Sequence, residues 1–231
     1  MSDKVVVFGA VDGVGAIAGC SLISDTPNES KSRWKGKDSK GNETKHGHFD
    51  VKTEYTSVYG IDDDTNGIVD LILGSVMNGR LVTSIQISAA ASEENNKVTI
   101  ISHNHAVNAH IDDRQQVAIA AFLPVGGVPA WGPVDFLGGT AGTNAAPSSG
   151  EITFACQHND KAPSGDHFCG ENYDAMVTAS TTWEGVPTTP VDAGVWDTYT
   201  SKENPVSNTE FKTTKVDATA PLMLATPVIT P

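Results

Sequence analysis

Polar and hydrophobic residues alternate with a period of two along several stretches of the chain. In residues 51–59, Val51, Tyr55 and Tyr59 fall on one face, whereas Lys52 and Glu54 fall on the other. A two-residue period rich in β-branched and aromatic side chains is typical of half-buried strands. The same alternation, or a short run of strand-forming residues, predicts further strands at residues 81–88, 98–101, 115–123, 152–156, 173–183, 195–200 and 211–216.

One segment has a helical pattern instead. Residues 64–66 offer helix-capping side chains, an apolar stripe follows, and Asn78-Gly79 supplies a stop signal. The pattern predicts one short α-helix over about residues 66–77, although Gly74 weakens it by roughly 1 kcal/mol. Many strands with a single helix predict a mainly β fold, a β-sandwich or barrel. The stripe consists of Ile68, Val69, Ile72, Leu73 and Val76.

Two other segments are apolar but irregular. Residues 123–149 are rich in Gly, Pro and Ala, and we expect an ordered loop that lies on a neighbouring subunit. Residues 218–231 carry Pro221, Pro227 and Pro231 among aliphatic side chains, a spacing that rules out a long helix. The predicted organisation is one β-rich domain over residues 1–217, with long polar hairpin loops, followed by an extended C-terminal arm.

Length and charge narrow the class of protein. The 231 residues suffice for one large β domain, and 28 Asp+Glu against 15 Lys+Arg give a formal net charge of −13. This balance argues against general nucleic-acid binding, which needs basic residues to displace counterions from phosphates. The first residues lack a basic leader, and no apolar run approaches the roughly 20 residues of a membrane helix. We expect a protein that is made and assembled in a cytoplasm and has no membrane partner.

The cysteines Cys20, Cys156 and Cys169 are too few, and odd in number, for a disulfide framework. Reduced thiols in a reducing compartment are the simplest interpretation. Pairing of Cys156 with Cys169 across a hairpin is an open alternative at the level of sequence.

The N-terminal glycines resemble a dinucleotide-binding motif. Residues 4–8 have a strand pattern, and Gly9, Gly13 and Gly15 follow with the spacing found at the opening of short-chain dehydrogenases. The resemblance covers about 15 residues, and the rest of the chain departs from it, because no tyrosine is followed by lysine four positions on. A strand with glycine-rich turns is the simpler interpretation, and no cofactor is predicted.

A second motif resembles part of a calcium loop. Asp62, Asp64 and Asn66 stand at oxygen-ligand positions of an EF-hand, with Gly67 at its sharp turn. Leu73 occupies the position of the bidentate glutamate, so an acidic turn and helix cap is the simpler interpretation. A calcium ion held with help from a distant carboxylate is the alternative.

The remaining candidates give no strong pattern. His103, His105 and His110 could ligate a transition metal if their loop folds together, but the chain has no Cys-x-x-Cys unit, and polar loop histidines are the simpler interpretation. No Gly-x-Ser-x-Gly nucleophile elbow is present, and we predict no metal site and no catalytic site. Dispersed tryptophans favour core and interface anchors over a sugar-binding platform. They are Trp34, Trp131, Trp183 and Trp196.

The layout as a whole resembles that of a bacteriophage tail tube subunit. The features that carry the resemblance are a β-rich domain of about 200 residues, one short helix in the first half, long polar hairpin loops and extended termini. In that family, a β-sandwich or barrel forms rings of six whose sheets join into one inner barrel, and terminal arms clamp neighbours. The resemblance implies a virion structural protein, not an enzyme, whose stacked homo-oligomeric rings, hexameric in that family, have an acidic lumen for DNA passage. No site residue is carried over, because no position-specific motif matches.

Other functions share parts of the pattern. A phage capsid decoration protein or a head–tail connector would have the same strands, acidity and clamping arms. A calcium-dependent carbohydrate-binding or adhesion module would combine the acidic turn with exposed tryptophans, and would lose glycan binding on chelation. A small enzyme using residues 4–15 would bind NAD saturably.

Overall fold

The computed structural model describes residues 13–104, 116–124, 127–141, 145–161, 169–189, 191–192, 195–205 and 212–222. Within them the chain forms eleven strands and two 3-10 helices, Gly67–Asp70 and Ala120–Phe122. No described helix is long and apolar enough to cross a membrane. The strands are β1 (Cys20–Lys37), β2 (Glu43–Ile61), β3 (Ile72–Leu73), β4 (Val76–Met77), β5 (Arg80–Ala90), β6 (Lys97–Asn104), β7 (Val117–Ala118), β8 (Ala146–Lys161), β9 (Cys169–Glu184), β10 (Thr198–Pro205) and β11 (Lys212–Pro221).

Nine strands form one sheet, in the order β1-β2-β6-β5-β8-β9-β11-β10, with β4 paired to the start of β5. All neighbours along this path are antiparallel. Strands β3 and β7 form a separate two-stranded ribbon. The predicted mainly β class is confirmed. The described sheet is open rather than closed into a barrel, because β1 and β10 lie at opposite ends of its path.

Alternation along each strand gives the sheet one apolar face. A single register row on successive strands joins Val98, Ile87, Ile152, Ala179 and Ala218, and all five side chains are buried. Burial of such side chains stabilises the fold by roughly 1.5–3 kcal/mol for each large aliphatic residue. The core therefore lies against this face of the sheet.

The Gly- and Pro-rich segment covers the apolar face. A Cβ placed on Gly150 of β8 would collide with the carbonyl oxygen of Val134 and would lie 3.1 Å from the ring of Phe136. The expectation that this loop lies on a neighbouring subunit is therefore wrong for most of its described part, because five of its apolar side chains are buried in the core of their own chain. These residues are Val128, Ala130, Val134, Phe136 and Leu137.

The α-helix predicted over about residues 66–77 is wrong. This segment forms the 3-10 helix Gly67–Asp70 and then β3 and β4. Gly74 has φ +84°, in the left-handed region that a right-handed helix cannot include. Ile68 and Leu73 still reach the core, so burial of the apolar stripe is satisfied without helical geometry. Tertiary packing overrides the weak local preference.

Two hairpins project from one end of the sheet. Strand β2 pairs with β6 only from Glu54, which lies opposite His103, to Gly60, whereas β1 and β2 continue to pair as far as Lys37 and Glu43. The projecting part of this hairpin, residues 29–53, extends roughly 35 Å at 3.4 Å per residue. Strands β8 and β9 also continue, to the pair of Lys161 with Cys169. We call this side of the molecule the hairpin end.

The predicted C-terminal arm starts within β11. Residues Ala218 to Pro221 pair with β9, and the amide of Leu222 donates to the carbonyl oxygen of Ala175 at 2.8 Å. Leu222 is buried. Residues 223–231 lie outside the described residues.

Candidate functional site

The described N-terminal glycines form a turn that packs on a tyrosine. The amide of Val14 donates to the Tyr59 hydroxyl at 2.9 Å, and that hydroxyl donates to the carbonyl oxygen of Gly15 at 3.0 Å. Residues 13–19 form turns and bends, and β1 starts directly afterwards at Cys20. A Cβ on Gly13 would collide with the hydroxyl of Tyr59, so this glycine allows the close packing of the turn on the tyrosine. Gly9 lies outside the described residues.

The calcium-loop residues point to different partners. Asp62 accepts from the Ser21 hydroxyl, and Asp64 Oδ1 accepts from the amide of Ala130 at 2.6 Å. Asn66 caps the 3-10 helix at the amide of Ile68 and donates to the carbonyl oxygen of Val128 at 2.6 Å. Among the described residues, no three His, Cys, Asp or Glu side chains come together where they could hold a metal ion. Asp64 and Asn66 instead fix the loop that covers the sheet.

The histidine and cysteine candidates do not form one site. His103 Nε2 on β6 lies 3.9 Å from Glu54 Oε2 on β2, whereas residues 105 and 110, both histidines, lie outside the described residues. Cys156 is a free thiol, and burial raises its pKa to about 11. Cys169 lies opposite Lys161 in the register, five positions along β8 from Cys156, so these two cysteines do not pair. The other described free thiol is Cys20.

Two tryptophans are core residues and one is exposed. Trp183 and Trp196 are buried, and the ring of Phe122 packs edge-on between those of Trp196 and Phe154, with centroids 6.0 Å from each. Trp131 is 61% exposed. The backbone just before it is fixed by side chains of other loops, because Asn96 Nδ2 donates to the carbonyl oxygen of residue 129 at 2.6 Å.

Among the described strands, β10 and β1 each pair on one side only, which leaves the sheet with two open edges. Strand β10 pairs with β11 over eight residues without a bulge, and its residues 198–203 are exposed. Strand β1 forms the other edge along 18 residues, with Pro27 and two bulges between residues 22 and 32. Each edge carries a large exposed apolar side chain, Ile23 on β1 (57% exposed) and Tyr199 on β10 (51% exposed). Open edges are templates for pairing with another strand.

The strand count makes the two edges compatible. The path contains eight strands, and every neighbouring pair is antiparallel, so β1 and β10 run in opposite directions. If copies are arranged head to tail, β10 of one copy meets β1 of the next in the antiparallel orientation. An odd number of strands would produce a parallel junction, which is slightly less stable per residue.

The face opposite the core is lined by hydroxyl groups. One register row joins Gln86, Thr153, Thr178, Thr219 and Thr198 on five successive strands, and the hydroxyls of the last two lie 2.8 Å apart. A shallow groove of about 600 Å³ crosses this face. Its lining includes Ser88, Glu151, Ser180, Lys215 and Asp217. We call this surface the hydroxyl face.

An ion pair fixes the edge strand β1 to the sheet. Arg80 Nη1 lies 2.9 and 3.0 Å from the two carboxylate oxygens of Asp25, and the Ser57 hydroxyl donates to the same carboxylate at 2.8 Å. The guanidinium stacks 3.7 Å above the ring of Tyr55. Burial tends to raise the pKa of Asp25, but the hydrogen bonds from Arg80 and Ser57 outweigh it and lower the pKa. The β1 edge is therefore held in a defined position.

No family model matches the sequence, and neither does any curated protein.

Proposed function

We propose that this protein is a structural subunit that assembles with copies of itself into closed rings, as a bacteriophage tail tube subunit does. The observation that carries the proposal is the open antiparallel sheet with an even number of strands and an accessible edge on each side. Monomers normally blunt such edges, as Pro27 and the bulges do along part of β1. Strand β10 has no bulge, and a closed ring of strands removes both edges.

In this ring, β10 of one subunit pairs with β1 of the next. The junction satisfies backbone groups that are otherwise exposed, and it buries part of Tyr199 and Ile23. Head-to-tail contacts that close by rotation give cyclic rings, and the hydroxyl face then stays on the same side around the whole ring. The apolar face lies outside it under its own loops.

The hydroxyl face would line the lumen. Its threonine and serine side chains carry no charge, and two of its lysines have acidic partners, since Lys215 lies 3.0 Å from Asp217 and Lys97 lies 2.7 Å from Glu93. With a net charge of −13, the subunit as a whole repels a polyanion. Passage of a polyanion without binding is the expected property of such a lumen.

Ring size is set by the number of strands. Eight strands spaced about 4.8 Å apart contribute roughly 38 Å of circumference for each subunit. Three copies would give a barrel about 35 Å in diameter, and six copies one about 75 Å in diameter, if the whole path lines the lumen. A diameter measured from micrographs therefore gives the subunit number.

Negative-stain microscopy and sedimentation of the purified protein test the proposal. We expect rings or tubes, whereas a single 24.2 kDa species at every concentration would reject self-assembly. Rings that never stack into tubes would favour the connector role, and binding only to preformed capsids would favour a decoration protein.

Two proline variants test which edge is used. Adjacent strand residues direct their amides to opposite sides, so one of Thr200→Pro and Ser201→Pro removes only an outward N–H from β10. We expect that variant to keep monomer stability but to lose rings. The alanine variants at the same two positions are the controls. If each of the two single proline variants still forms rings, β10 is excluded as the junction.

A further inference from the structure

Positive charge is concentrated in the projecting hairpin. Residues 29–53 contain seven of the 15 Lys+Arg but only four of the 28 Asp+Glu, a formal net charge of +3. The rest of the chain therefore carries −16. Such an asymmetry between two parts of a chain indicates a charged interaction surface.

The tip of this hairpin is ordered and presents its lysines outward. The Asp38 amide donates to the carbonyl oxygen of Asn42 at 2.9 Å, and the Asp38 carboxylate accepts from the amides of Lys40 and Asn42 at 2.9 and 2.8 Å. These hydrogen bonds occupy the one acidic group of the tip turn. The side chains of Lys37, Lys40 and Lys45 are exposed.

The opposite end of the sheet is acidic. Residues 62–64 are three aspartates that follow β2, and Glu93 and Glu94 lie in the turn between β5 and β6. The two segments are adjacent, since the amide of Ile61 donates to the carbonyl oxygen of Asn96 at 2.9 Å. All five carboxylates belong to exposed residues. Glu93 pairs with Lys97 at 2.7 Å, so the excess negative charge of this end rests on Glu94 and the three aspartates. Exposed Trp131 reaches the same end, because the amide of Asn96 donates to the carbonyl oxygen of the preceding Ala130 at 3.0 Å.

We propose that the basic hairpin of one copy docks on the acidic end of a second copy, so that subunits associate end to end along the strand direction. The inference rests on the proposed self-assembly and names its axial contact. Like charges keep two basic hairpins, or two acidic ends, apart. The contact is therefore heterologous and continues from copy to copy instead of stopping at a dimer.

The chemistry favours a second copy over a nucleic acid as the partner. A polyanion that approached the hairpin would also meet a body of charge −16. The second copy instead brings the complementary carboxylates and an exposed aromatic side chain to the same place. Arginine- and lysine-rich surfaces gain association rate from such complementarity, and salt weakens it.

Charge reversal at each end tests the contact. The background is the β10 proline variant that has lost rings, so that lateral pairing does not contribute. In that background we expect association at 50 mM salt that weakens at least tenfold at 500 mM salt, measured by sedimentation velocity. The triple variant Lys37→Glu/Lys40→Glu/Lys45→Glu and the double variant Glu93→Lys/Glu94→Lys should each weaken it about tenfold or more.

A mixture of the charge-reversed tip variant and the charge-reversed acidic-end variant is the most direct test of the contact. The glutamates of one reversed tip face the lysines of one reversed acidic end, so the mixture should form pairs that neither variant forms alone. The control is Lys202→Glu on the edge strand β10, compared with the single tip variant Lys40→Glu, which changes charge by the same amount. Lys202→Glu should leave association unchanged.

Two outcomes would overturn the inference without touching the ring. The first is association that the charge-reversed tip variant retains at wild-type strength. The second is a protein whose hairpin binds duplex DNA in a mobility-shift assay but does not bind other copies of the chain. Conversely, the wild-type protein could form no rings and still associate in a way that depends on salt and on the tip lysines. That outcome would reject the lateral junction and support the axial contact.

Discussion

The two faces of the sheet use the same strands but different partners. On one face, apolar side chains are covered by segments of their own chain, as Val134 and Phe136 cover Gly150. On the other face, hydroxyl and charged side chains remain accessible along a shallow groove. Most of the apolar surface is therefore buried inside the subunit. Association between copies depends mainly on the backbone hydrogen-bonding groups of the edge strands and on charged side chains.

This division separates folding from assembly. Side-chain burial on the covered face should set the stability of the monomer, whereas the edges, the hairpin and the acidic end should set how copies associate. Substitutions on the two faces are consequently expected to differ strongly in their effect on unfolding, even for neighbouring residues of one strand.

Phe154→Ala should have the largest effect. The ring is fully buried on β8 and contacts Phe122, so its removal leaves a cavity and should lower the free energy of unfolding by about 3–5 kcal/mol. Its neighbour Thr153 points to the hydroxyl face, and Thr153→Ala is the matched control, with a change of less than about 0.5 kcal/mol. Urea denaturation of both variants measures the contrast. Similar losses would show that both faces are packed.

Gly150→Ala should come next. The added Cβ would meet the Val134 carbonyl and the Phe136 ring, and backbone cannot rotate away as a flexible side chain can. Overpacking of this kind should cost about 2 kcal/mol. Ser149→Ala, one residue away on the other face, should be nearly neutral. A stable Gly150→Ala protein would mean that the covering loop is lifted easily from the sheet.

The sequence predicted many strands of this sheet but not the segments that pack on its apolar face. The alternation at residues 81–88 and 173–183 lies within β5 and β9, because a period of two is a local property of a half-buried strand. The helix over about residues 66–77 failed because Gly74 adopts a left-handed conformation and because short strands pair with distant residues. Local pattern carries no information on such pairing.

The open edges and the acidic turn could not be predicted from local sequence pattern either. Pairing order, and hence the two open edges, depends on contacts between distant strands that no motif encodes. The hydrogen bond from Asn66 to Val128 joins residues 62 positions apart and gives the acidic turn a role that its resemblance to a calcium loop does not suggest. By contrast, the excess of lysine in residues 29–53 is visible in sequence once the hairpin is known to project.

Arg80→Met removes the ion pair with Asp25 that holds the edge strand β1 against the sheet. Both side chains of the pair are mostly buried, 11% exposed for Arg80 and 13% for Asp25. Removal of the guanidinium therefore takes two hydrogen bonds and the opposite charge away from the Asp25 carboxylate. We expect a loss of about 1–2 kcal/mol. A cost near zero would mean that water replaces the guanidinium at no penalty.

The same pair predicts a pH dependence. The folded pKa of Asp25 lies below its ordinary value of 3.8, so the ionised carboxylate stabilises the fold above about pH 4 and loses this contribution as the pH falls through the folded pKa. The stability difference between wild type and Asp25→Asn should therefore shrink from pH 6 to pH 3. A difference that grows in acid would contradict the lowered pKa.

Thr178→Ala should have the smallest effect on stability. Thr178 is exposed at the centre of the threonine row, and loss of its hydroxyl removes no buried contact, so the free energy of unfolding should change by less than about 0.5 kcal/mol. Thr178→Lys adds a positive charge to the same place and should also leave the monomer folded. If this face lines a lumen, rings of the lysine variant should retain duplex DNA at low salt, whereas rings of the alanine variant should not. Equal retention by the two would place the hydroxyl face elsewhere in the assembly, because a charge in the lumen could not be hidden from DNA that passes through it.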